Sequence, residues 1–213
     1  MLYIVPGDGC CGPNCASAHL FKDEVYGPKL RRKMNLFAAE HHNQGRYKFI
    51  FNCSPETPYI RKLGDGVVKF TVLSELIEFL KKSEKAAFMW TENEDLAILS
   101  DLYQLNIKII TTKGESDKNV TENWIFPDPE LSKFSELQNV KIDDLVLLNE
   151  NDVHFNLVVD GNSDLAQQGS LSYRFNVGPI LEDMENAEKE VQQNENEQEL
   201  GYKNELNRIK NNL

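Results

Sequence analysis

Long apolar stretches are missing from this sequence of 213 residues. No run reaches the roughly 18 apolar residues that predict a membrane-spanning helix, so we expect no membrane association. The residues after Met1 lead within a few positions into a segment rich in Gly and Cys, and not into a signal peptide. We therefore expect a soluble, cytosolic protein, in a host cytosol if its source is a pathogen, virus or mobile element. It would be either an excised piece of a longer chain or a protein with a minimal N-terminus.

Positive charge is also scarce. The chain has 23 Lys plus Arg against 34 Asp plus Glu, which gives a formal net charge of −11. Because phosphate binding needs clustered positive charge, this balance argues against a nucleic-acid partner. An acidic surface suits a basic partner instead.

Cysteine is sparse, with four residues at positions 10, 11, 15 and 53. They do not form the disulfide framework of a secreted protein, and the C-x-x-C pair of a structural zinc site is missing. Cys15 and His19 follow Cys11 at intervals of four and are conceivable ligands, but we interpret Cys15 and Cys53 as small core residues. We expect neither a metal nor a cofactor.

The apolar pattern predicts one α/β (α+β) domain over residues 1–178, in which helices flank a small central sheet. An acidic tail over residues 179–213 is predicted to be helical or disordered, since its last 32 residues hold nine acids, four bases and few apolar side chains. Predicted helices lie at 11–22, 29–44, 72–82 and, capped by Asn93, up to about residue 105. Predicted strands lie at 106–112, 144–149, 153–159 and 170–177. A loop-rich segment with room for one short strand is predicted at 47–65, and a loop at 113–123.

The segment VPGDGCCGPNCASAHLF, residues 5–21, contains the candidate nucleophile. Two glycines flank Asp8 and permit a tight loop, and a helix can begin after Cys11 with Pro13 in its first turn. A cysteine at a helix N-terminus meets unpaired N–H groups and the positive end of the dipole, which favour the nucleophilic thiolate. Cys11 is therefore predicted to be the catalytic nucleophile, and the N–H groups of residues 8–11 to hold an oxyanion. Asp8 is predicted to support catalysis, either by capping the helix or by shaping the backbone that holds the oxyanion.

The strand VHFNLVV, residues 153–159, would supply the base. Side chains alternate along a strand, so His154 and Asn156 share one face and Phe155 lies on the other. We expect the Asn156 amide oxygen to accept the Nδ1–H of His154, which leaves Nε2 to take a proton from the thiol. The predicted site is a Cys–His–Asn triad.

Three motifs in this order resemble those of the ovarian-tumour (OTU) family of cysteine proteases, most of which are deubiquitinases. DGCC at 8–11 is similar to the family's Asp-Gly-x-Cys, MWTENEDLAILSDL at 89–102 to its Trp and acidic helix segment, and HFN at 154–156 to its His-aromatic-Asn/Asp. The resemblance implies an OTU-like fold and hydrolysis of the bond after the C-terminal Gly-Gly of ubiquitin or a ubiquitin-like modifier. We expect the enzyme to act as a monomer.

The family's spacing selects Cys11 over its neighbour as the nucleophile. Five further residues are predicted to contact the substrate: Gly9, Cys10, Trp90, Glu92 and Phe155. A place in the core is an alternative for Trp90. Glu92 belongs, with Glu94 and Asp95, either to an acidic rim or to a solvated helix start that the dipole favours.

Two other functions fit the same residues. One is a module that keeps the fold and binds ubiquitin without turnover. The other is a viral or transposon-type polyprotein protease that cleaves its own flanking sequence. Reaction with a ubiquitin that carries a C-terminal electrophile distinguishes the first of these from a deubiquitinase.

Overall fold

The computed structural model describes residues 2–64, 66–112, 120–135, 144–150 and 154–159. The helices in these ranges are α1 Cys11–Phe21, α2 Gly27–Glu40, α3 Tyr47–Ile50, α4 Leu73–Lys82 and α5 Asn93–Tyr103. None of them is long and apolar enough to cross a bilayer. The predicted strand at 170–177 and the predicted tail lie outside the described residues.

The strands are β1 Leu2–Tyr3, β2 Tyr59–Leu63, β3 Gly66–Phe70, β4 Ile107–Thr112, β5 Val120–Ile125, β6 Leu145–Glu150 and β7 His154–Val158. Five of them form one sheet in the order β1-β7-β6-β4-β5. β4 and β6 are parallel neighbours, and the other neighbours in this sheet are antiparallel. β2 and β3 pair separately as an antiparallel ribbon.

The core lies between one face of the large sheet and the helices. Side chains alternate along β4, so Ile107 and Ile109 are buried, and their register partners Leu145 and Leu147 on β6 are buried beside them. α1 packs against β7 and α2, and α2 packs in turn against α4 and α5. The helix that begins at Cys11 therefore lies beside the strand that begins at His154.

β6 and β7 are antiparallel neighbours, at the positions where two strands are predicted. The register places His154 opposite Glu150, at the last pair before the connection between the two strands. A side chain at a strand end is open on one side, and His154 is half-buried.

Two predicted loops contain strands. Residues 113–123 were expected to form a loop because they are polar, yet Val120–Ile125 is the outermost strand of the sheet. The side chains of this edge strand are exposed, so its sequence does not need to alternate between apolar and polar residues. Without that alternation the sequence did not indicate a strand. The segment 47–65, with room for one short strand, contains β2, whereas its partner β3 was not predicted. The helix predicted over 29–44 ends at Glu40.

Candidate active site

Cys11 is the first residue of α1, as the motif predicted. The residue before it, Cys10, is the N-cap, with φ −92° and ψ 18°, but its side chain makes no capping hydrogen bond to the helix. Cys11 is 4% exposed. Its thiol therefore lies at the positive end of an 11-residue helix, in a largely dry environment.

Asp8 organises the turn ahead of α1. Its Oδ1 accepts the Cys10 N–H at 2.9 Å, and Asn14 Nδ2 donates to the same oxygen at 3.3 Å. An Asp that accepts the N–H two residues further on closes an Asx turn. Asn14 is wedged against Gly27, where an added Cβ would lie 1.7 Å from Asn14 Oδ1. The Asp8 carboxylate thus ties the loop to the first helical turn.

The N–H groups of the first turn are almost all committed. Gly12 N–H donates to Thr91 Oγ1 at 3.2 Å, Pro13 has no N–H, and Asn14 N–H bonds to Cys10 O at 2.8 Å. Among the described residues, the Cys11 N–H makes no hydrogen bond. The first turn therefore offers one backbone N–H beside the thiol, that of Cys11. Of the predicted oxyanion donors at residues 8–11, the Cys10 N–H is excluded because it already donates to Asp8.

Gly9 must be glycine. Its φ of +91° is a conformation that L side chains rarely adopt. An added Cβ would also lie 3.1 Å from both the Phe88 carbonyl oxygen and Trp90 Cδ1. The Gly9 backbone therefore runs directly against Trp90, and Lys62 Nζ lies over the Trp90 ring at 4.0 Å from its centroid.

His154 and Asn156 are paired, but through a different ring nitrogen from the one predicted. Asn156 Oδ1 lies 3.1 Å from His154 Nε2 and also accepts the Val5 N–H at 3.4 Å, which identifies this amide atom as the oxygen. An oxygen only accepts, so Nε2 carries a proton and Nδ1 is the free acceptor of the neutral ring. The expectation that Nδ1 would bond to Asn156 is therefore wrong.

The Nδ1 edge of the ring faces the nucleophile loop. A Cβ added to Gly7 would lie 3.9 Å from both His154 Nδ1 and Cε1. Asn156 is buried, and the hydrogen bond from the Val5 N–H holds its Oδ1 beside the ring of His154. The base is thus held by its far nitrogen and presents its near nitrogen to the loop that carries Cys11.

A second contact joins the two halves of the site. Cys15, one turn after Cys11, lies with Sγ 3.5 Å from the Phe155 carbonyl oxygen. The Phe155 ring is on the opposite face of β7 from His154 and belongs to the hydrophobic core. This burial does not fit the prediction that Phe155 contacts substrate, and its backbone instead anchors α1 to β7.

Cys10 is buried more completely than Cys11. Burial, with a smaller contribution from Asp8, outweighs the influence of Arg31 and raises the pKa of the Cys10 thiol to about 12. A thiol in that state is a poor nucleophile at neutral pH. Cys10 was predicted to contact substrate, and its buried side chain does not fit that role.

Glu92, and not Asn93, is the N-cap of α5. The Glu92 side chain accepts the Asp95 N–H, while the Asp95 carboxylate accepts the Glu92 N–H at 2.8 Å, which completes a capping box. Glu92 also pairs with Arg61 Nε at 3.4 Å. The Glu92 carboxylate therefore interacts with other residues of the protein. Asp95 is buried, so it does not belong to the predicted acidic rim.

A buried ionic cluster lies behind the Trp90 segment and was not predicted. Asp95 pairs with Arg31 Nη1 at 2.5 Å and with the Arg61 guanidinium, and all three side chains are at most 2% exposed. Arg31 Nη2 continues to the Met89 carbonyl at 3.1 Å, and Arg61 Nη2 to the Trp90 carbonyl at 2.6 Å. The cluster holds the backbone that faces Gly9.

No three His, Cys, Asp or Glu side chains within the described ranges are grouped closely enough to hold a metal ion. The polar groups at Cys11 and His154 are instead those of thiol and imidazole chemistry.

Comparison with known proteins gives matches only at the level of structure. No protein-family model and no curated protein matches the sequence. The OTU domain of OTUD1 matches with a TM-score of 0.51 and 15% identity, over 75% of this chain and 85% of that chain. The OTU of Hazara virus bound to ubiquitin gives 0.44 and 17%, over 75% and 82%. An OTU deubiquitinase from Wolbachia pipientis wMel bound to ubiquitin gives 0.46 and 15%, over 76% and 96%.

The architecture is a mixed α/β fold in which helices cover one central sheet, which confirms the predicted fold class. Within that class it is the OTU fold, as the match to the OTUD1 domain shows, and the resemblance of the three motifs agrees with it.

Proposed function

We propose that this chain is a thiol-dependent deubiquitinase. It would hydrolyse the peptide or isopeptide bond after the C-terminal Gly-Gly of ubiquitin or a ubiquitin-like modifier, without a cofactor. The observation that supports this best is the orientation of His154, which is held at Nε2 by Asn156 and turns Nδ1 toward the loop of Cys11. The OTU fold and the three motifs point to the same substrate class.

The proposed reaction uses three groups. Cys11 Sγ passes its proton to His154 Nδ1 and attacks the glycine carbonyl carbon, and the electron pair of the C=O bond moves to oxygen. The Cys11 N–H donates to this oxyanion. The C–N bond breaks as His154 Nδ1–H protonates the leaving amine, which gives a thioester. Water then gives a proton to Nδ1 while its oxygen attacks the thioester carbonyl carbon. The C–S bond breaks, the glycine is released as its carboxylic acid, and the proton on Nδ1 returns to the Cys11 sulfur.

Gly9 and Trp90 remain the proposed substrate contacts on the loop side, since a residue without a side chain beside an indole leaves room for a tail of two glycines. The net charge of −11 is compatible with a basic, Arg-bearing tail. We expect a cytosolic monomer that binds neither nucleic acid nor membranes.

The test is incubation with a ubiquitin that carries a C-terminal electrophile. We expect one covalent adduct, mapped by mass spectrometry to Cys11. Cys11→Ala should give no adduct, and the matched variant Cys10→Ala should keep most of the rate because its thiol is buried and protonated. Ubiquitin binding without an adduct would show the non-catalytic module, and cleavage of flanking sequence alone would show the polyprotein protease. An adduct on Cys10 would contradict the assigned nucleophile.

A further inference from the structure

Thr91 contacts the nucleophile loop on both sides of Cys11. Its N–H and its hydroxyl both donate to the Gly9 carbonyl, at 2.8 and 3.0 Å. Its Oγ1 also accepts the Gly12 N–H at 3.2 Å. Thr91, which is 79 positions away from Gly12 in the sequence, therefore forms hydrogen bonds to the backbone on both sides of Cys11.

The Thr91 hydroxyl has no spare capacity. A threonine hydroxyl donates one hydrogen bond and accepts two, and the second acceptor position is filled by Arg31 Nη2 at 2.9 Å. Its methyl group is equally confined, since a Cβ added to Gly12 would lie 2.4 Å from Thr91 Cγ2. The side chain thus fits the loop both by hydrogen bonding and by shape.

This contact also supplies the cap that α1 lacks. Cys10, in the N-cap position, makes no side-chain capping bond, and the Gly12 N–H is one of the orphan donors of the helix start. Thr91 satisfies it from another part of the chain. With the Cys10 N–H held by Asp8, the peptide groups on either side of the Cys11 N–H are both fixed.

Thr91 is itself held from behind. Arg31 is fully buried, and its guanidinium joins the Thr91 hydroxyl to Asp95 in the ionic cluster. The nucleophile loop is therefore held, through Thr91, by the buried guanidinium of Arg31.

We propose that Thr91 is a positioning residue of this active site. It sets the place of the Cys11 thiol and of the Cys11 N–H relative to His154. The inference rests on the proposed function, but it is tested partly by a measurement that needs no ubiquitin.

The variants are Thr91→Val, which keeps the shape and removes the hydroxyl, and Thr91→Ser, which keeps the hydroxyl. Thr91→Ala serves in place of the valine variant should that one fail to fold. Thr121→Val, at an exposed threonine of β5, is the matched control. The readouts are kcat and KM per titrated active site on a ubiquitin-derived substrate, and the rate at which iodoacetamide alkylates Cys11, followed by mass spectrometry.

Thr91→Val should lower kcat about 10- to 100-fold with little change in KM, since a 1 Å misplacement of catalytic groups costs about 100-fold. The alkylation rate of Cys11 should fall with it, and Thr91→Ser should restore most of both. A merely structural role would lower the melting temperature and leave kcat per active site unchanged, and that result would overturn the proposal. Equal damage by the serine variant would overturn it too. If the wild type does not react with ubiquitin at all, the proposed function fails, while the alkylation rates still decide the role of Thr91.

Discussion

Replacing Asp95 by Asn should destabilise the protein severely. The substitution keeps the shape of the side chain but removes the one buried carboxylate that faces Arg31 and Arg61. The remaining carboxylate at this cluster is Glu92, which is 43% exposed and touches only Arg61, at 3.4 Å. Two guanidinium groups would thus stay buried with little compensation.

The size of the effect follows from this geometry. Breaking a buried ion pair by removing one partner costs about 3–5 kcal/mol, because an uncompensated charge remains in the interior. For a domain of about 150–250 residues each kcal/mol shifts the melting temperature by about 2–4 °C, so the expected loss is about 6–20 °C. Urea denaturation and thermal melting followed by circular dichroism measure it. Glu94→Gln is the control, since it neutralises an acid of the same helical turn that has no ion pair among the described residues.

The pH dependence gives a second check. Burial alone would raise the pKa of Asp95, but the charges of Arg31 and Arg61 outweigh it and hold that pKa below its usual range. Because the folded pKa is depressed, the contribution to stability is complete above the unfolded pKa of about 3.9 and disappears as the pH falls through the folded value. The gap between wild type and Asp95→Asn should be constant from about pH 5 to 8 and shrink in acid. A loss no larger than that of Glu94→Gln, or a gap that widens in acid, would refute the reasoning.

Two more predictions concern the base and the tail. His154→Ala should lower kcat/KM more than Asn156→Ala over pH 5 to 9, because it removes the proton acceptor, and positioned acid–base catalysis is worth about 10²–10⁴-fold. Asn156→Asp should keep most of the activity. If the two alanine variants fold and lose equal activity, Asn156 does more than orient His154. Truncation after residue 178 should leave the hydrolysis rate and the melting temperature nearly unchanged, since the acidic segment has too few apolar residues to join a core; a large drop in melting temperature would show that it docks.

The local part of the candidate site could be predicted from the sequence. A glycine pair around Asp8 and a proline after Cys11 define where a loop becomes a helix, and these are preferences of neighbouring residues. The alternation of a strand puts His154 and Asn156 on one face whatever packs around them. Both features depend on short stretches of backbone, so the pattern of residue types was sufficient.

The tertiary structure decided which groups support that chemistry. Arg31 belongs to no motif, and the Trp90 motif in which Thr91 lies gives Thr91 no role. Their contacts to the loop and to Asp95 join residues some 60 to 80 positions apart, which no local pattern records. Arg31 lies in a helix that the sequence predicts, but its burial depends on the buried Asp95 carboxylate, which comes from a distant part of the chain. Whether Nδ1 or Nε2 of His154 faces the thiol depends on the packing of the Val5 segment beside β7. Strand alternation places the ring on a face, and only the surrounding contacts fix its rotation.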